Sequence, residues 1–340
     1  MHIQALSLKN YLKSFRTVTR DHLLSKGEPS AMIEAFLNTP PVSHQIRISF
    51  ETRENRTTRE VLLNKKRPHL FREYYGLVPL LLFEPGEVYL FRESPSQRRR
   101  FLNQAVFLDY PASLKTLGAY DEVVAQKNRI LKEGRGGNAT GVVGPAALEI
   151  WNEQLAKLGA IIVEQRIEWV RKMNERIGEE YRNLSRGKEE AKMVYRSSTE
   201  GETEEEIFQA LQNLIREKEA EERQRGESIV GPHRDDFSFL IDGRSISEFG
   251  SQGENRSAVI ALKLSQIKLH EKGHQKSAIF LLDDVVSELD SDRIEGLFST
   301  LQTTPGQVFI TATEKSKLSN DFKEKGAYFL VEEGAVRVLG

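Results

Sequence analysis

Four apolar residues ending in two adjacent carboxylates, Ile279-Phe280-Leu281-Leu282-Asp283-Asp284, constrain this chain more than any other stretch. An apolar run of that length fits a strand buried on both faces, as the strands of a parallel sheet are. The carboxyl end of such a strand is where an open α/β sheet places its ligand site. Two acidic groups there suit cation and phosphate chemistry. Asp283 can hold a Mg²⁺ directly or through water, and Asp284 can orient a water for attack on a terminal phosphate. The same pair can also simply begin a turn or cap a helix.

Upstream, Ser251-Gln252-Gly253-Glu254-Asn255-Arg256 opens an apolar helix expected to begin near Ser257. Ser-x-Gly at a helix N-terminus offers a hydroxyl and backbone N–H donors to an anion, helped by the helix dipole. By itself it reads first as an ordinary N-cap. Downstream of Asp284 comes Val285-Val286-Ser287-Glu288-Leu289-Asp290. Taken in order, Ser-Gln-Gly-Glu, a helix, Leu-Leu-Asp-Asp and Ser-Glu-Leu-Asp resemble the signature motif, Walker B segment and D-loop of an ABC-type ATPase head. Their wording resembles one branch in particular, the RecF family of bacterial DNA-repair proteins.

That resemblance implies an α/β fold of the P-loop NTPase class, an ABC-type ATPase head with a helical lid subdomain inserted. It implies DNA binding, on single and double strands and at gap junctions, together with ATP and Mg²⁺ as cofactors. By motif, Asp283 and Asp284 are the catalytic pair, with Asp283 also the Mg²⁺ ligand. Ser251, Gln252, Gly253, Glu254, Asp290 and Thr311 are the nucleotide-binding residues, Ser251 and Gly253 touching the γ-phosphate held by the opposite subunit of an ATP-dependent homodimer. Thr311 or Thr313 stands at the switch position of such heads. The partners implied are RecO and RecR, in recombinase loading at gapped DNA and in the SOS response.

From the beginning of the chain, residues 3–8 read as a strand, and Lys9-Asn10-Tyr11 ends it. Chains of the resembled family continue there with a strand, a Gly-rich P-loop ending in Gly-Lys-Thr or Gly-Lys-Ser, and a helix. Here Leu12-Lys13-Ser14-Phe15-Arg16-Thr17 follows at once, resembling the segment beyond that helix. Gly187-Lys188 leads into Glu189, and Gly273-His274-Gln275-Lys276-Ser277 lacks both the first Gly and the Gly-Lys step, so neither is a Walker A sequence. The glycines at 134, 136, 137, 141 and 144 have no preceding strand and read as a flexible linker. A chain without a P-loop leaves an alternative open, that of a nucleotide-independent paralogue or incomplete product acting only as a DNA- or protein-binding module.

Residues 30–63 alternate apolar and polar in short strands, with turns at Pro40-Pro41 and Glu54-Asn55. Residues 78–83 form another apolar strand, closed by Glu84-Pro85-Gly86. Ser94 is an N-cap candidate with Pro95 at the first helical position, and Arg98, Arg99 and Arg100 follow. That run is either a solvated helix turn or a phosphate-contacting, DNA-binding patch. To about residue 225 the pattern is helical, with apolar stripes at Trp151, Leu155, Leu158, Ile162 and at Ile207, Leu211, Leu214, Ile215 that belong to a core. No heptad repeat is sustained, which separates the chain from relatives with coiled-coil arms. Gly231-Pro232-His233-Arg234-Asp235-Asp236 matches a string of the resembled family. His233 has no second His or carboxylate at metal-ligand spacing and reads as a positioned loop residue. Asp242-Gly243 turns a hairpin, and residues 307–313 form a further buried strand ending in hydroxyls. The expected organisation is a head of 1–93 plus 226–340, with 94–225 as the lid.

A net charge of -1 gives no global basic signature, so any DNA surface has to be a local patch. The absence of Cys excludes a disulfide framework and Cys-based zinc or redox sites. With no membrane-length apolar run and no signal-peptide pattern, the expected location is the cytoplasm.

Overall fold

The computed structural model describes residues 24, 27–39, 42–54, 56–68, 80–135, 145–185, 187, 189–274, 278–284, 289, 291–302, 306–313, 326–332 and 335–339. The expected first strand, the position after Tyr11, most of the glycine stretch and Asp290 lie outside them. The chain divides into two compact units, 1–87 with 270–340, and 88–269.

Among its described residues the first unit contains three small sheets. Strands β1 (Ser30–Thr39), β2 (Val42–Arg53) and β3 (Arg56–Leu63) form an antiparallel meander. Thr39 pairs with Val42 and Arg53 with Arg56, so the strands pair right up to the sites that Pro40-Pro41 and Glu54-Asn55 mark in the sequence. Glu54 takes a positive φ of 47°, as a tight hairpin of this kind demands. Ile46, Ile48 and Phe50 are the buried side chains of β2, and Ile33, Leu37 and Val61 pack on them.

The second sheet is parallel, in the order β4 (Leu80–Phe83), β8 (Ile279–Asp283), β9 (Gln307–Thr311). Leu282 pairs with Phe83 on one side and Ile310 on the other, so the apolar run is the central strand, covered on both edges. Phe280, Leu281 and Leu282 are buried, as a strand with two covered faces requires. Helix α8 (Ser291–Gln302) makes the crossover from β8 to β9 and buries Leu297, Phe298 and Leu301. Strands β10 (Phe329–Glu332) and β11 (Ala335–Val338) form a separate hairpin.

The second unit is mainly helical. After a 3-10 segment, Pro85–Arg92, come α1 (Pro95–Asp109), α2 (Ser113–Arg135), α3 (Pro145–Asn174) and α4 (Ile177–Ser185). Strand β5 (Ala191–Arg196) and α5 (Glu204–Arg225) precede β6 (Asp236–Ile241), β7 (Arg244–Ser245), α6 (Ile246–Phe249) and α7 (Gln252–His274). Ser94 caps α1, accepting from the Gln97 N–H, and Pro95 opens the helix. A Thr203/Glu206 capping box starts α5, and Gly226 ends it with a left-handed φ of 74°. Leu155, Ile162, Ile207, Leu211 and Ile215 form one buried cluster with Tyr120, so the two apolar stripes meet as core.

The division of the chain differs from the sequence-based boundaries at 93 and 226. Strand β6 pairs with β5 along its whole length, and its Phe237 and Phe239 pack on Phe91, Phe101 and Tyr181. Those contacts hold residues 226–269 in the helical unit. The helix expected near Ser257 begins at Gln252, five residues earlier, because Ser251 and Glu254 cap it. Among the described residues no helix is long and apolar enough to cross a membrane.

Candidate functional site

The end of β8 places Asp283 beside Thr311, its register partner on β9. Asp283 is 5% exposed, and the Thr311 hydroxyl donates to its Oδ1 at 2.8 Å. The next residue leaves the strand by a left-handed turn, Asp284 having φ of 53°. Its N–H donates to the Thr311 carbonyl at 3.2 Å and lies 3.0 Å from the Thr311 Oγ1. Asp is one of the few side chains that tolerates this conformation. One threonine thus fastens both acidic residues. A cluster of three or more acidic, His or Cys groups able to hold a metal is absent among the described residues. Asp283 nevertheless fits the role of a carboxylate ligand to Mg²⁺, which ordinarily takes one or two carboxylates and completes its shell with water and phosphate oxygens.

The phosphates of a nucleotide are a different matter. A P-loop supplies the backbone N–H cradle, a Lys on the β- and γ-phosphates and a hydroxyl on the cation. The sequence contains no such stretch, and the residues at the β8 end do not replace it.

In the helical unit, Ser251, Gln252, Gly253 and Glu254 form the start of α7. The Glu254 N–H donates to Ser251 Oγ at 3.2 Å, and the Ser251 N–H donates to Glu254 Oε2 at 2.6 Å, a capping box. The Asn255 amide donates to the Gly250 and Ser251 carbonyls, and Arg92 also reaches the Gly250 carbonyl. Tyr89, Arg92, Gln252, Asn255 and Arg256 line a small cleft there.

The three arginines of α1 differ in their surroundings. Arg98 forms an ion pair with Asp236 and also donates to the Phe91 and Glu93 carbonyls. The Asp236 hydrogen bond raises its pKa, against burial. Arg99 donates to the Asp235 carbonyl at 3.0 Å, and burial lowers its pKa. Arg100 is exposed.

The string from Gly231 to Asp236 is the centre of a buried polar network that the sequence did not disclose. Gly231 has φ of +121°, and a Cβ there would stand 2.3 Å from the Tyr120 hydroxyl, so only glycine fits. His233 Nδ1 is 2.7 Å from Tyr120 Oη, and its Nε2 is 3.2 Å from the Ser228 carbonyl. A carbonyl only accepts, so Nε2 carries the proton and Nδ1 accepts from the tyrosine. Burial holds the His233 pKa down at about 4. Arg166 donates to the Pro232 carbonyl at 2.8 Å and to Tyr195 and Asn103. Burial raises the pKa of Asp235, against bonds from Tyr195 and the Ser198 N–H. Glu222, buried with Lys127 at 2.7 Å, also accepts from the Ser228 hydroxyl and the Ile229 N–H. Nothing in the spacing of these residues signals the network, because its partners lie on five separate elements. The positioned-loop reading of His233 agrees with this geometry.

No family model matches the chain. It is similar to the DNA replication and repair protein RecF of Geotalea uraniireducens, 31% identical over 337 residues, covering 98% of this chain and 89% of that protein. The RecF of Geobacter metallireducens is 33% identical over 339 residues, covering 99% and 89%. Among solved structures, the recombination mediator protein RecF with ATP, in the RecFOR pathway, matches with a TM-score of 0.86 at 25% identity, over 100% of this chain and 88% of that one. The corresponding RecF-ATPrS structure matches with a TM-score of 0.85, also at 25% identity, with the same coverage. The Smc head domain of Pyrococcus furiosus, with an extended coiled coil and bound to the C-terminal domain of ScpA, matches with a TM-score of 0.52 at 13% identity. It covers 99% of this chain and 85% of that one, a likeness of fold alone.

Proposed function

The chain belongs to the RecF family of DNA replication and repair proteins, with a RecF-like repair role, and from that premise we propose that it acts at single-strand gaps in DNA while depending little on ATP. In this reading it works with RecO- and RecR-type partners in recombinational repair and the SOS response. In function, residues 1–93 and 226–340 are grouped as the head and 94–225 as its lid, although strand β6 takes its pairing partner, β5, from within 94–225. The observation that carries the proposal is the pair of facts at the head. The strand that reads as a Walker B segment is central in its sheet with Asp283 fastened at its end, yet the sequence has no P-loop to hold the phosphates that Asp283 and Asp284 would serve.

Support for the DNA part comes from Arg100, an exposed cation on α1 next to the half-buried Arg99. Arginine matches phosphate geometry, and phosphate contacts position a protein on DNA without reading its sequence. For Mg²⁺, Asp283 is the ligand the chain supplies, with Asp284 beside it to orient a water. The start of α7, with Ser251 and Gly253, is the part that would face a phosphate held by a second head.

Fluorescence anisotropy on gapped, intact duplex and single-stranded DNA of one sequence tests the proposal. The expected result is tighter binding to the gapped form, unchanged by ATP and Mg²⁺. Equal affinity for gapped and intact duplex, or affinity that rises strongly with ATP, would sink it.

A further inference from the structure

We infer that Thr311 is a positioning residue, one that fixes Asp283 and Asp284 for a divalent cation and does not itself touch a phosphate. The inference rests on Asp283 as the cation ligand proposed above. A hydroxyl has one proton to donate and two lone pairs to accept with. The Thr311 proton is engaged by Asp283 Oδ1 at 2.8 Å, and one lone pair faces the Asp284 N–H at 3.0 Å. Phosphate oxygens at neutral pH accept hydrogen bonds. Thr311 therefore has no proton to offer a phosphate unless it first releases Asp283. A direct switch contact with nucleotide and the observed geometry exclude each other.

The backbone points the same way. Asp284 turns out of β8 with φ of 53°, and its N–H is held from β9 by both the carbonyl and the hydroxyl of Thr311. A left-handed aspartate persists where its surroundings over-determine it. Thr311 supplies that constraint, and by taking Oδ1 it fixes the rotation of the Asp283 carboxylate. Partners that orient a metal ligand in this manner change cation affinity without touching the cation.

The test is Mn²⁺ titration of the whole chain, without nucleotide, followed by paramagnetic loss of the Asp284 and Thr311-region amide signals in NMR spectra. Thr311→Val keeps the β-branched shape and removes both hydroxyl bonds, Thr311→Ser keeps them, and Asp283→Asn removes the ligand. Thr311→Val is expected to need about tenfold more Mn²⁺ than wild type, while Thr311→Ser stays within about twofold. Asp283→Asn is expected to abolish the local signal loss. If Thr311→Val matches wild type while Asp283→Asn loses the effect, the inference about Thr311 fails and the cation reading stands. If wild type shows no local loss, or Asp283→Asn behaves like wild type, the cation reading fails and takes this inference with it. Should the valine disturb the strand, as a Thr311→Val spectrum altered from wild type outside β8 and β9 would reveal, Thr311→Ala carries the test by the same criterion.

Discussion

A guanidinium that already forks onto a carboxylate has few donors left for a second anion. Arg98 is in that state with Asp236, and Arg100 is exposed two positions on. Arg98→Ala is expected to cost about 2 kcal/mol of stability, since it strands a half-buried carboxylate. A lowered urea midpoint for Arg98→Ala, with DNA affinity unchanged once folded, checks it. Arg100→Ala should leave stability within about 0.5 kcal/mol. In DNA binding it should weaken affinity on unrelated sequences alike and lower the salt slope by about one. An unchanged slope returns Arg100 to ordinary solvated surface. The sequence could not divide the run, because Asp236 lies 138 residues away. His233 was equally illegible beyond its loop, since its partner Tyr120 is 113 residues distant. Its folded pKa of about 4 is below the ordinary 6.5, so between those values the unfolded chain binds a proton that the folded chain does not. Stability that His233 contributes is complete above about pH 6.5 and is lost as pH falls toward 4. His233→Gln should flatten that limb relative to wild type in denaturation curves taken across the window. Parallel curves for the two proteins would contradict the neutral, buried imidazole.

Elements were legible where their ends carry local chemistry. Pro40-Pro41, Glu54-Asn55 and Asp242-Gly243 stand in the sequence between strands that pair, and Ser94-Pro95 announces α1. The start of α7 was placed late, because Gly253 and the polar residues around it hide a helix whose first turn is held by the Ser251/Glu254 box. What joins α2 to α5 is less visible still. Lys127 and Glu222 are both fully buried, and Glu222 also anchors the loop after α5 through Ser228 and Ile229. Breaking a buried pair by removing one partner leaves an uncompensated charge and costs about 3–5 kcal/mol. Lys127→Met should therefore destabilise the chain by that amount, read from the urea midpoint at constant slope. A loss under about 1 kcal/mol would mean that the loop donors alone satisfy Glu222.

At the scale of the whole molecule, strands β4 and β8, between which the long helical stretch lies, were legible because both are short, apolar and followed by breaks. Their parallel pairing closes the sheet across it. The pairing of β6 with β5 was not readable, since a helix separates the two strands in the chain. The missing P-loop has the largest functional consequence. In a sandwich-type head, ATP joins two subunits, and replacing the carboxylate that orients water prolongs the ATP-bound dimer. Here the backbone cradle, the Lys and the hydroxyl are all lacking from the sequence, and Asp283 cannot substitute for three groups at once. The chain is expected to bind ATP far more weakly than a P-loop protein and to form no ATP-driven dimer. Asp284→Asn should change neither property, because no nucleotide is held for that carboxylate to act on. Equilibrium binding of a fluorescent ATP analogue with Mg²⁺, beside sedimentation of wild type and variant, measures both. Saturable micromolar binding with a longer-lived dimer in Asp284→Asn would show that another segment of the chain has taken over the work of the P-loop.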